Sequence, residues 1–302
     1  MMKRFLCAAM AAALVVSAVP ATVSEAAKAP KAKYTFNMNK KSKKVVAVSR
    51  KGDTSSFTTG DPDNGVVPTA KVAKSLKAKL KYAKGKNGKA LYLDRSKSFG
   101  AELKGIKLGK KSWTVAFWVK PANTPSSYMS IFFTGSDIAN PKKTKWISIT
   151  KTGDGWLNGY SCPAIWSHNA ALDKSETDLH FPWYAFQNEE GEWQGDTDNA
   201  KAMAVAQNKW VHITLVVNTK ETCEYGTAGE EGYVKSYHGF TYINGKLFGN
   251  GVIAKNSMSN KNKFFLGINA WDTPFKGYFD DVMFWNKALT EKQVKKVYKK
   301  VK

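Results

Sequence analysis

Cysteine and histidine are scarce in this chain of 302 residues, which contains three of the first and four of the second. Three cysteines are too few for a fold held together by many disulfides. The histidines are far apart along the chain and show no zinc-binding spacing; they are His168, His180, His212 and His238. A small disulfide-rich fold and a regular zinc motif are therefore excluded.

Long apolar runs are absent after the N-terminal segment, which reads MMKRFLCAAMAAALVVSAVPATVSEAAKAP. Its two basic residues, its apolar run from Phe5 to Val19 and the small residues that follow predict a secretory signal peptide over residues 1–26. Cleavage after Ala21 and cleavage after Ala26 both fit this pattern. No later run approaches the ~20 apolar residues of a transmembrane helix. The sequence therefore predicts a secreted protein without a membrane-spanning segment, either released or held at the cell surface.

Removal of the signal peptide leaves two cysteines, since Cys7 lies within it. An even number of cysteines in an exported protein permits one disulfide, between Cys162 and Cys223. The pairing is an expectation from this count alone.

Acidic residues are few relative to basic ones, with 24 Asp and Glu against 47 Lys and Arg and a formal net charge of +23. Residues 28–89 hold 17 Lys or Arg and 3 Asp, a net charge of +14, and the C-terminal tail TEKQVKKVYKKVK is also basic. Residues 151–231 are acidic, with 13 Asp or Glu and 5 Lys. The basic parts predict an anionic cell-wall polymer or acidic glycan as a partner, and a solvated Lys-rich surface is the alternative.

Nucleic acid is not expected as a partner in spite of this charge. Proteins that bind single strands interleave aromatic rings with basic residues, so that bases stack while phosphates are neutralised. Here the aromatic cluster is acidic and the basic segments contain few aromatic residues.

Nine short runs rich in Val, Ile, Phe, Trp and Tyr, bounded by Gly, Asn, Asp or Pro, predict an all-β fold. They cover residues 33–38, 89–94, 112–121, 129–135, 145–151, 209–218, 239–245, 263–269 and 277–286. Within KWVHITLVVN, Val211, Ile213 and Leu215 share one face of the strand. His212 and Thr214 share the other. Such alternation is typical of a sandwich in which each strand turns one face to the core.

Two local signals mark a hairpin and a terminal helix. Asn244-Gly245 lies between two β-rich runs and predicts a tight turn with both residues at positive φ. Thr290, with Gln293 three residues later, has the capping-box spacing and predicts the start of a helix. The apolar stripe of that helix consists of Val294, Val297, Tyr298 and Val301. The helix is expected to close one side of the sandwich.

The order and content of these segments resemble a known superfamily. The segments that carry the resemblance are YAKGKNGKALYLD, SWTVAFWVKP, NKWVHITLVVN, TYINGKLFG, KFFLGIN and GYFDDVMFWNKALTEKQV. Together they are similar to laminin-G-like domains of the concanavalin A-like lectin and glucanase superfamily, over residues 31–302. The resemblance implies a jelly roll, in which two antiparallel sheets form a curved sandwich with ligands on the concave face or along its rim. Residues 152–208 form a Trp-rich insertion that the compact pattern does not need, and an insertion of this length is typical of a functional segment.

Catalysis by paired carboxylates is not indicated. Glucanases of this superfamily carry such a pair on one face of a strand, as in Glu-x-Asp-x-Glu. Asp280 and Asp281 are adjacent, so they are expected to point to opposite faces. Glu190 and Glu192 have a suitable alternation, but their Gly- and Asn-rich surroundings indicate a loop. The sequence therefore predicts a binding domain, with a glycosidase as an alternative.

Calcium is implied as a cofactor by the resemblance, since similar domains often hold a calcium ion that fixes loops against the sandwich. Matched by motif, Asp94 in LYLD and Asp280 in FDD are the candidate ligands. Arg95 stands where the family usually has glycine, which places a cation beside the candidate site. In the alternative, Asp280 accepts hydrogen bonds from the backbone of a neighbouring loop.

A carbohydrate site is predicted from flat aromatic rings interleaved with polar side chains in the acidic insertion. The candidate residues are Trp166, His168, Trp183, Tyr184 and Trp193, together with Trp271 from the loop NAWDTPF. The Trp residues in strand patterns, among them Trp118 and Trp210, are assigned mostly to packing. We therefore predict a secreted, non-catalytic, lectin-like domain whose partner is a polysaccharide or glycan. The alternative from another class is an adhesion module that binds a protein through the same rings.

Overall fold

The computed structural model describes most of the chain from residue 28 onward. The described ranges are 28–50, 69–94, 99–108, 110–122, 130–136, 145–151, 162–169, 179–181, 204–225, 228–230, 233–270, 272 and 274–302. The predicted signal peptide and much of the Trp-rich insertion lie outside the described residues.

Within these ranges the chain forms fifteen strands and two helices. In chain order they are β1 (Tyr34–Phe36), β2 (Val45–Ser49), α1 (Ala70–Ser75), β3 (Lys81–Lys84), β4 (Lys89–Leu93), β5 (Phe99–Leu103), β6 (Trp113–Pro121), β7 (Ser130–Ser136), β8 (Lys145–Lys151), β9 (Pro163–Asn169), β10 (Leu179–Phe181), β11 (Val211–Tyr225), β12 (Val234–Ile243), β13 (Lys246–Ile253), β14 (Lys263–Leu266), β15 (Gly277–Trp285) and α2 (Glu291–Val301). In this part of the chain, neither helix has the length and apolar character that crossing a membrane requires.

The strands form two antiparallel sheets that share one core. The first sheet has eight strands in the order β13, β12, β11, β6, β15, β4, β3, and β1 pairs with β15 in addition. The second has seven strands in the order β10, β9, β8, β7, β14, β5, β2. Buried residues from both sheets belong to one apolar cluster between them. The predicted jelly-roll sandwich of two antiparallel sheets is confirmed.

Aromatic rings dominate the core between the sheets. Phe133 of β7 lies 6.4 Å from Phe117 of β6 and 6.1 Å from Phe264 of β14, measured between ring centroids. Phe284 of β15 closes the group, 5.4 Å from Phe264. Full burial of each such side chain contributes about 1.5–3 kcal/mol. The cluster therefore ties the two sheets together.

The C-terminal helix α2 packs on the outer face of the eight-stranded sheet. Thr290 accepts from the backbone N–H of Gln293, and the Gln293 side chain accepts from the backbone N–H of Thr290, so the predicted capping box is present. Val294 and Val297 are buried in an apolar cluster with Ala116 and other outward residues of the sheet. The predicted helix and its apolar stripe are confirmed, and the helix covers part of this face.

Strands predicted from the sequence are all present, but the sandwich contains more of them. The additional strands are β2, β3, β5, β9, β10 and β13. β13 enters the predictions only as the second run of the Asn244-Gly245 hairpin, and β2 (VVAVS) has a plain strand pattern that the nine runs do not include. The other four mix charged, small or polar residues with the apolar ones, so local pattern alone does not separate them from loops. The predicted hairpin is confirmed, since Asn244 and Gly245 both have positive φ, 51° and 77°.

Cys162 and Cys223 are not joined by a disulfide in this structure. The Cys162 side chain, next to β9, is fully buried in the core, whereas Cys223 is half-buried in β11 and pairs with Ser236. The two cysteines therefore belong to different sheets. The bond that the cysteine count permits is absent from this structure.

Candidate functional site

The outer face of the eight-stranded sheet carries a row of aromatic and lysine side chains. Lys120 of β6 pairs with Tyr278 of β15. Tyr278 in turn pairs with Tyr92 of β4, and Tyr92 pairs with Lys81 of β3. Trp210, the residue before β11, extends the row beyond Lys120. These five residues, here named the aromatic-lysine row, span ~19 Å because neighbouring strands lie about 4.8 Å apart.

Strand alternation turns this row away from the core. Leu91, Val119 and Phe279 are the sequence neighbours of row residues, and all three are fully buried between the sheets. Successive side chains of a strand point to opposite faces. The row residues therefore emerge on the outer face, where four of them are half-buried and Lys81 is exposed.

The rings of the row touch one another and hold a lysine between them. The Tyr92 and Tyr278 centroids are 4.9 Å apart, and those of Trp210 and Tyr278 are 6.2 Å apart. The Lys120 Nζ atom lies 4.9 Å from the Tyr278 centroid and 5.8 Å from the Trp210 centroid. An ammonium at this distance is attracted to ring faces. The position of the Lys120 charge is therefore set by two aromatic neighbours.

A cleft of about 320 Å³ opens beside the row. Its lining consists of Ala83, Lys84, Gly85, Lys120, Trp210 and Tyr278. The volume lies at the lower end of the ~300–1,000 Å³ typical of small-molecule sites. Aromatic faces, amine donors and an open mouth are thus combined in one place.

On the same outer face, the side chains next to the row along the strands are covered by the C-terminal helix α2. Trp118 and His212 are packed against each other at 5.1 Å and against Tyr298 of α2 at 5.8 and 5.7 Å. The Lys86 Nζ atom lies 4.9 Å from the Trp118 ring. Burial lowers the pKa of His212 to about 3, so its ring is neutral at ordinary pH. The helix and the β3–β4 loop thus bound the exposed row on one side.

The β3–β4 loop, which lines the cleft, is held by the buried carboxylate of Asp280. The Asp280 Oδ2 atom accepts from the backbone N–H groups of Lys86 and Asn87, each at 3.0 Å. Its Oδ1 atom accepts from the backbone N–H of Asp281 at 2.9 Å. A Cβ atom on Gly85 would lie 2.6 Å from Asp280 Oδ2, so only glycine fits there. Asp280 is therefore an anchor for the wall of the cleft.

Asp281 contacts the same loop as Asp280, which differs from the expectation that the two point to opposite faces. The register of β15 shifts between Asp280 and Met283, and Asp281 has a φ of 44°. This bulge turns the Asp281 carboxylate toward Asn87, whose Nδ2 donates to it at 2.8 Å and to the Val301 carbonyl at 2.9 Å. The loop, the bulge and the end of α2 are thereby tied together.

Burial raises the pKa of Asp280 to about 6, and the charge of Asp281 adds to this rise. Hydrogen bonds from three backbone N–H groups act in the opposite direction and lower the pKa. Since the ordinary value is 3.8, folding favours the protonated form. The resulting stabilisation is present in full below about pH 3.8 and is lost as the pH rises through about 6. We expect the difference in unfolding free energy between the wild type and Asp280→Asn to be largest near pH 4 and to shrink by pH 7. Urea unfolding at four pH values measures it, and a difference that stays constant or grows with pH contradicts it.

The two candidate calcium ligands, Asp94 and Asp280, lie apart. Three backbone N–H groups already donate to the Asp280 carboxylate. Asp94 lies four residue levels away on the paired strands, ~13 Å at about 3.3 Å per residue, so the two carboxylates do not share one site. Within the described ranges, no three His, Cys, Asp or Glu side chains are grouped as a metal would need. Asp280 instead follows the alternative expectation of a loop anchor.

The predicted sugar-site residues that the structure describes lie on the other sheet. Trp166 and His168 are on β9, and the Trp166 indole donates to Thr150 Oγ1 at 3.0 Å. The His168 ring stacks on Trp146 of β8, with centroids 5.9 Å apart. The remaining candidates, Trp183, Tyr184, Trp193 and Trp271, lie outside the described residues. The structure thus brings Trp166 and His168 onto one strand, away from the aromatic-lysine row.

Sequence reasoning did not identify the row. The assignment to packing holds for Trp118, which is almost fully buried, but not for Trp210, which lines the cleft. One signal was available, because Trp210 has the same parity as His212 and Thr214 on the face opposite the core. Parity shows the face of a single strand but not which strands are neighbours. The juxtaposition with Tyr278 therefore required the sheet order.

Comparison with known proteins bears on the fold. The sequence model described as the concanavalin A-like lectin/glucanases superfamily matches residues 95–295 of the chain. None of the curated proteins is similar enough in sequence to match significantly. The family match covers more than half of the chain.

Solved structures with similar folds include three of different origin. Domain 4 of AbnA, a GH43 extracellular arabinanase from Geobacillus stearothermophilus in complex with arabinotriose, is 23% identical with a TM-score of 0.43, covering 72% of this chain and 80% of that one. The binding domain of botulinum neurotoxin DC in complex with SialylT is 12% identical with a TM-score of 0.46, covering 85% and 52%. The SAP-like pentraxin from Limulus polyphemus is 15% identical with a TM-score of 0.39, covering 64% and 72%. The chain thus spans about half the length of the neurotoxin structure.

Proposed function

Because the chain belongs to the concanavalin A-like lectin/glucanase superfamily, we propose that it is a non-catalytic carbohydrate-binding domain whose glycan lies across the aromatic-lysine row. The observation that carries the proposal is the group of touching rings at Trp210, Tyr278 and Tyr92 beside an open cleft. Sugars present apolar C–H faces and hydroxyl edges. Flat rings supply contact area for the faces, and a few polar groups orient the edges.

The polar groups at the row suit sugar hydroxyls. Lys120 and Lys81 are donors within the row, and Lys84 lies in the cleft wall. Asp94 lies two residues after Tyr92, just beyond the end of β4, and burial together with the Asp94 charge raises the pKa of the Tyr92 hydroxyl. Asp94 therefore places a carboxylate near Tyr92, where sugar hydroxyls need an acceptor. Donors and an acceptor flank the ring platform.

Binding is favoured over hydrolysis by the composition of the cleft. A glycosidase requires two carboxylates about 5–5.5 or 6.5–9.5 Å apart. Of the described residues that line the cleft, none is Asp or Glu. Asp280 is fully buried under the loop, and its oxygens accept backbone hydrogen bonds. The same row in an adhesion module would bind a protein, and competition by free oligosaccharide separates that alternative.

The double variant Trp210→Ala/Tyr278→Ala is expected to weaken glycan binding at least ~10-fold, because each ring contact contributes roughly 0.5–1.5 kcal/mol beyond the area that it buries. A glycan array followed by titration calorimetry with the best oligosaccharide measures the effect.

Two further variants serve as controls. Phe240→Ala removes a half-buried ring from the outer face of β12, outside the row, and should leave binding unchanged. Trp166→Ala tests the sequence-predicted position on the other sheet. If Trp166→Ala abolishes binding while the double variant binds like the wild type, the site is not the aromatic-lysine row.

A further inference from the structure

We infer that the aromatic-lysine row selects an acidic pyranose polysaccharide, one whose ring sugars carry carboxylates. The inference rests on the proposed function, because it names the class of glycan that the same row binds. It follows from the charges at the row, from their spacing and from the rings between them.

Among the described residues, no carboxylate forms an ion pair with a lysine of the row. Lys81 and Lys120 in the row, Lys84 in the cleft and Lys209 beside Trp210 form no ion pair with any carboxylate in the part of the chain that the structure describes. The nearby carboxylate of Asp94 reaches Tyr92, at the other side of Tyr278 from Lys120. The row therefore presents lysines that form no ion pair with a described residue, and Asp94, near Tyr92, is the one described carboxylate that acts on the row.

Lysines elsewhere on the same sheet and on helix α2 form ion pairs where a carboxylate is within reach. Lys235 pairs with Glu224 on β11, and Lys295 pairs with Glu291 one helical turn away. Both pairs are exposed, and in each the carboxylate balances the charge of the lysine. The row is different because strand pairing brings lysines beside aromatic rings instead of beside acids.

Spacing along the row matches a chain molecule. Lys120 and Lys81 are separated by three strand-to-strand steps, ~14 Å at about 4.8 Å each, with Tyr278 and Tyr92 between them. A ligand that runs across the strands meets a charge, two rings and a second charge in turn. A polymer that repeats a carboxylate satisfies both lysines while its rings cover the tyrosines.

Two other ligand chemistries satisfy only half of this surface. A neutral polysaccharide stacks on the rings but leaves the ammonium groups without an anion. A polyol-phosphate polymer neutralises the lysines but has no flat apolar face for Trp210, Tyr278 and Tyr92. Among glycans and anionic cell-wall polymers, an acidic pyranose is the class that uses rings and charges together, and charge complementarity favours it at the row.

The experiment compares polymers that differ only in charge. Polygalacturonate and polymannuronate are each tested beside the carboxyl-reduced neutral form of the same chain, with poly(glycerol phosphate) as a third probe. The proteins are the wild type, Lys81→Gln/Lys120→Gln and the ring variant Trp210→Ala/Tyr278→Ala. Lys292→Gln/Lys299→Gln removes the same charge from exposed positions of α2 and serves as the matched control.

We expect the wild type to bind at least one uronate polymer ~10-fold or more tightly than its reduced form, with affinity falling as salt rises. The lysine variant should lose this preference, because its affinity for the uronate polymer falls much more than its affinity for the reduced form, and the control should keep the preference. The ring variant should bind both forms more weakly.

Each other outcome has a definite meaning. Equal binding of charged and reduced polymers, weakened in both cases by the ring variant, overturns the acidic ligand but leaves the carbohydrate site in place. Binding that the ring variant does not change overturns the proposed function at this row. Tightest binding of poly(glycerol phosphate), or no binding of either uronate polymer, overturns the inference.

Discussion

Replacing Asp280 with alanine is expected to lower the free energy of unfolding by about 2–4 kcal/mol, a large part of the stability of a typical domain. The substitution leaves three backbone N–H groups, those of Lys86, Asn87 and Asp281, without their acceptor. An unpaired buried donor costs about 1–3 kcal/mol, and partial access of water to the exposed side of the loop limits the total.

Urea unfolding at pH 7 measures this loss, and Asp280→Asn is the matched variant. The Asn carbonyl keeps one acceptor in the same place, so its cost should be clearly smaller than that of alanine. Because Gly85 of this loop lines the cleft next to Lys84 of β3, the alanine variant should also bind glycan more weakly at temperatures where it stays folded. An alanine variant as stable as the wild type contradicts the role of Asp280 as a loop anchor.

Replacing Gly277 with alanine is expected to destabilise the fold by about 3 kcal/mol or more. Gly277 begins β15 with a φ of 149°, a conformation that side chains other than glycine rarely adopt. A Cβ atom there would lie 2.3 Å from the Lys120 carbonyl oxygen and 2.6 Å from Phe275 Cζ. Because these atoms belong to the neighbouring strand and the core, neither moves without breaking other contacts.

A matched substitution at a second glycine distinguishes the cost of backbone strain from the cost of steric overlap. Gly105 also has a positive φ, 85°, but a Cβ atom at that position meets nothing within 4 Å. Gly105→Ala should therefore show the backbone cost alone, of order 1 kcal/mol. Thermal and urea unfolding of both variants give the comparison, and equal losses would show that crowding at Gly277 contributes nothing.

Asp280 and Gly277 show which features of this region the sequence predicts and which it does not. The motif GYFDDV marked both residues, and the alternative of a loop-anchoring Asp280 was available before the structure. The bulge at Asp281 was not, because a positive φ at a non-glycine residue depends on contacts made from another part of the chain. Asn87, which makes those contacts, is far from Asp281 in sequence.

The Trp-rich insertion shows a second limit. Its length indicated a functional segment, and the structure places β9 and β10 there, with β10 at the edge of the seven-stranded sheet and β9 between β10 and β8. Short strands at a sheet edge have few partners, so sequence pattern specifies them weakly.

By itself, the amino-acid sequence determined the class of fold, most of the strands, the Asn244-Gly245 hairpin and the capped C-terminal helix. Each of these depends on residues within a few positions of one another, through alternation, turn conformation or a cap. Only the tertiary structure decided that Trp210, Lys120, Tyr278, Tyr92 and Lys81 stand in one row. Five separate segments contribute to that row, and the pairing and register of the strands, set by burial of the opposite faces in a common core, bring them side by side.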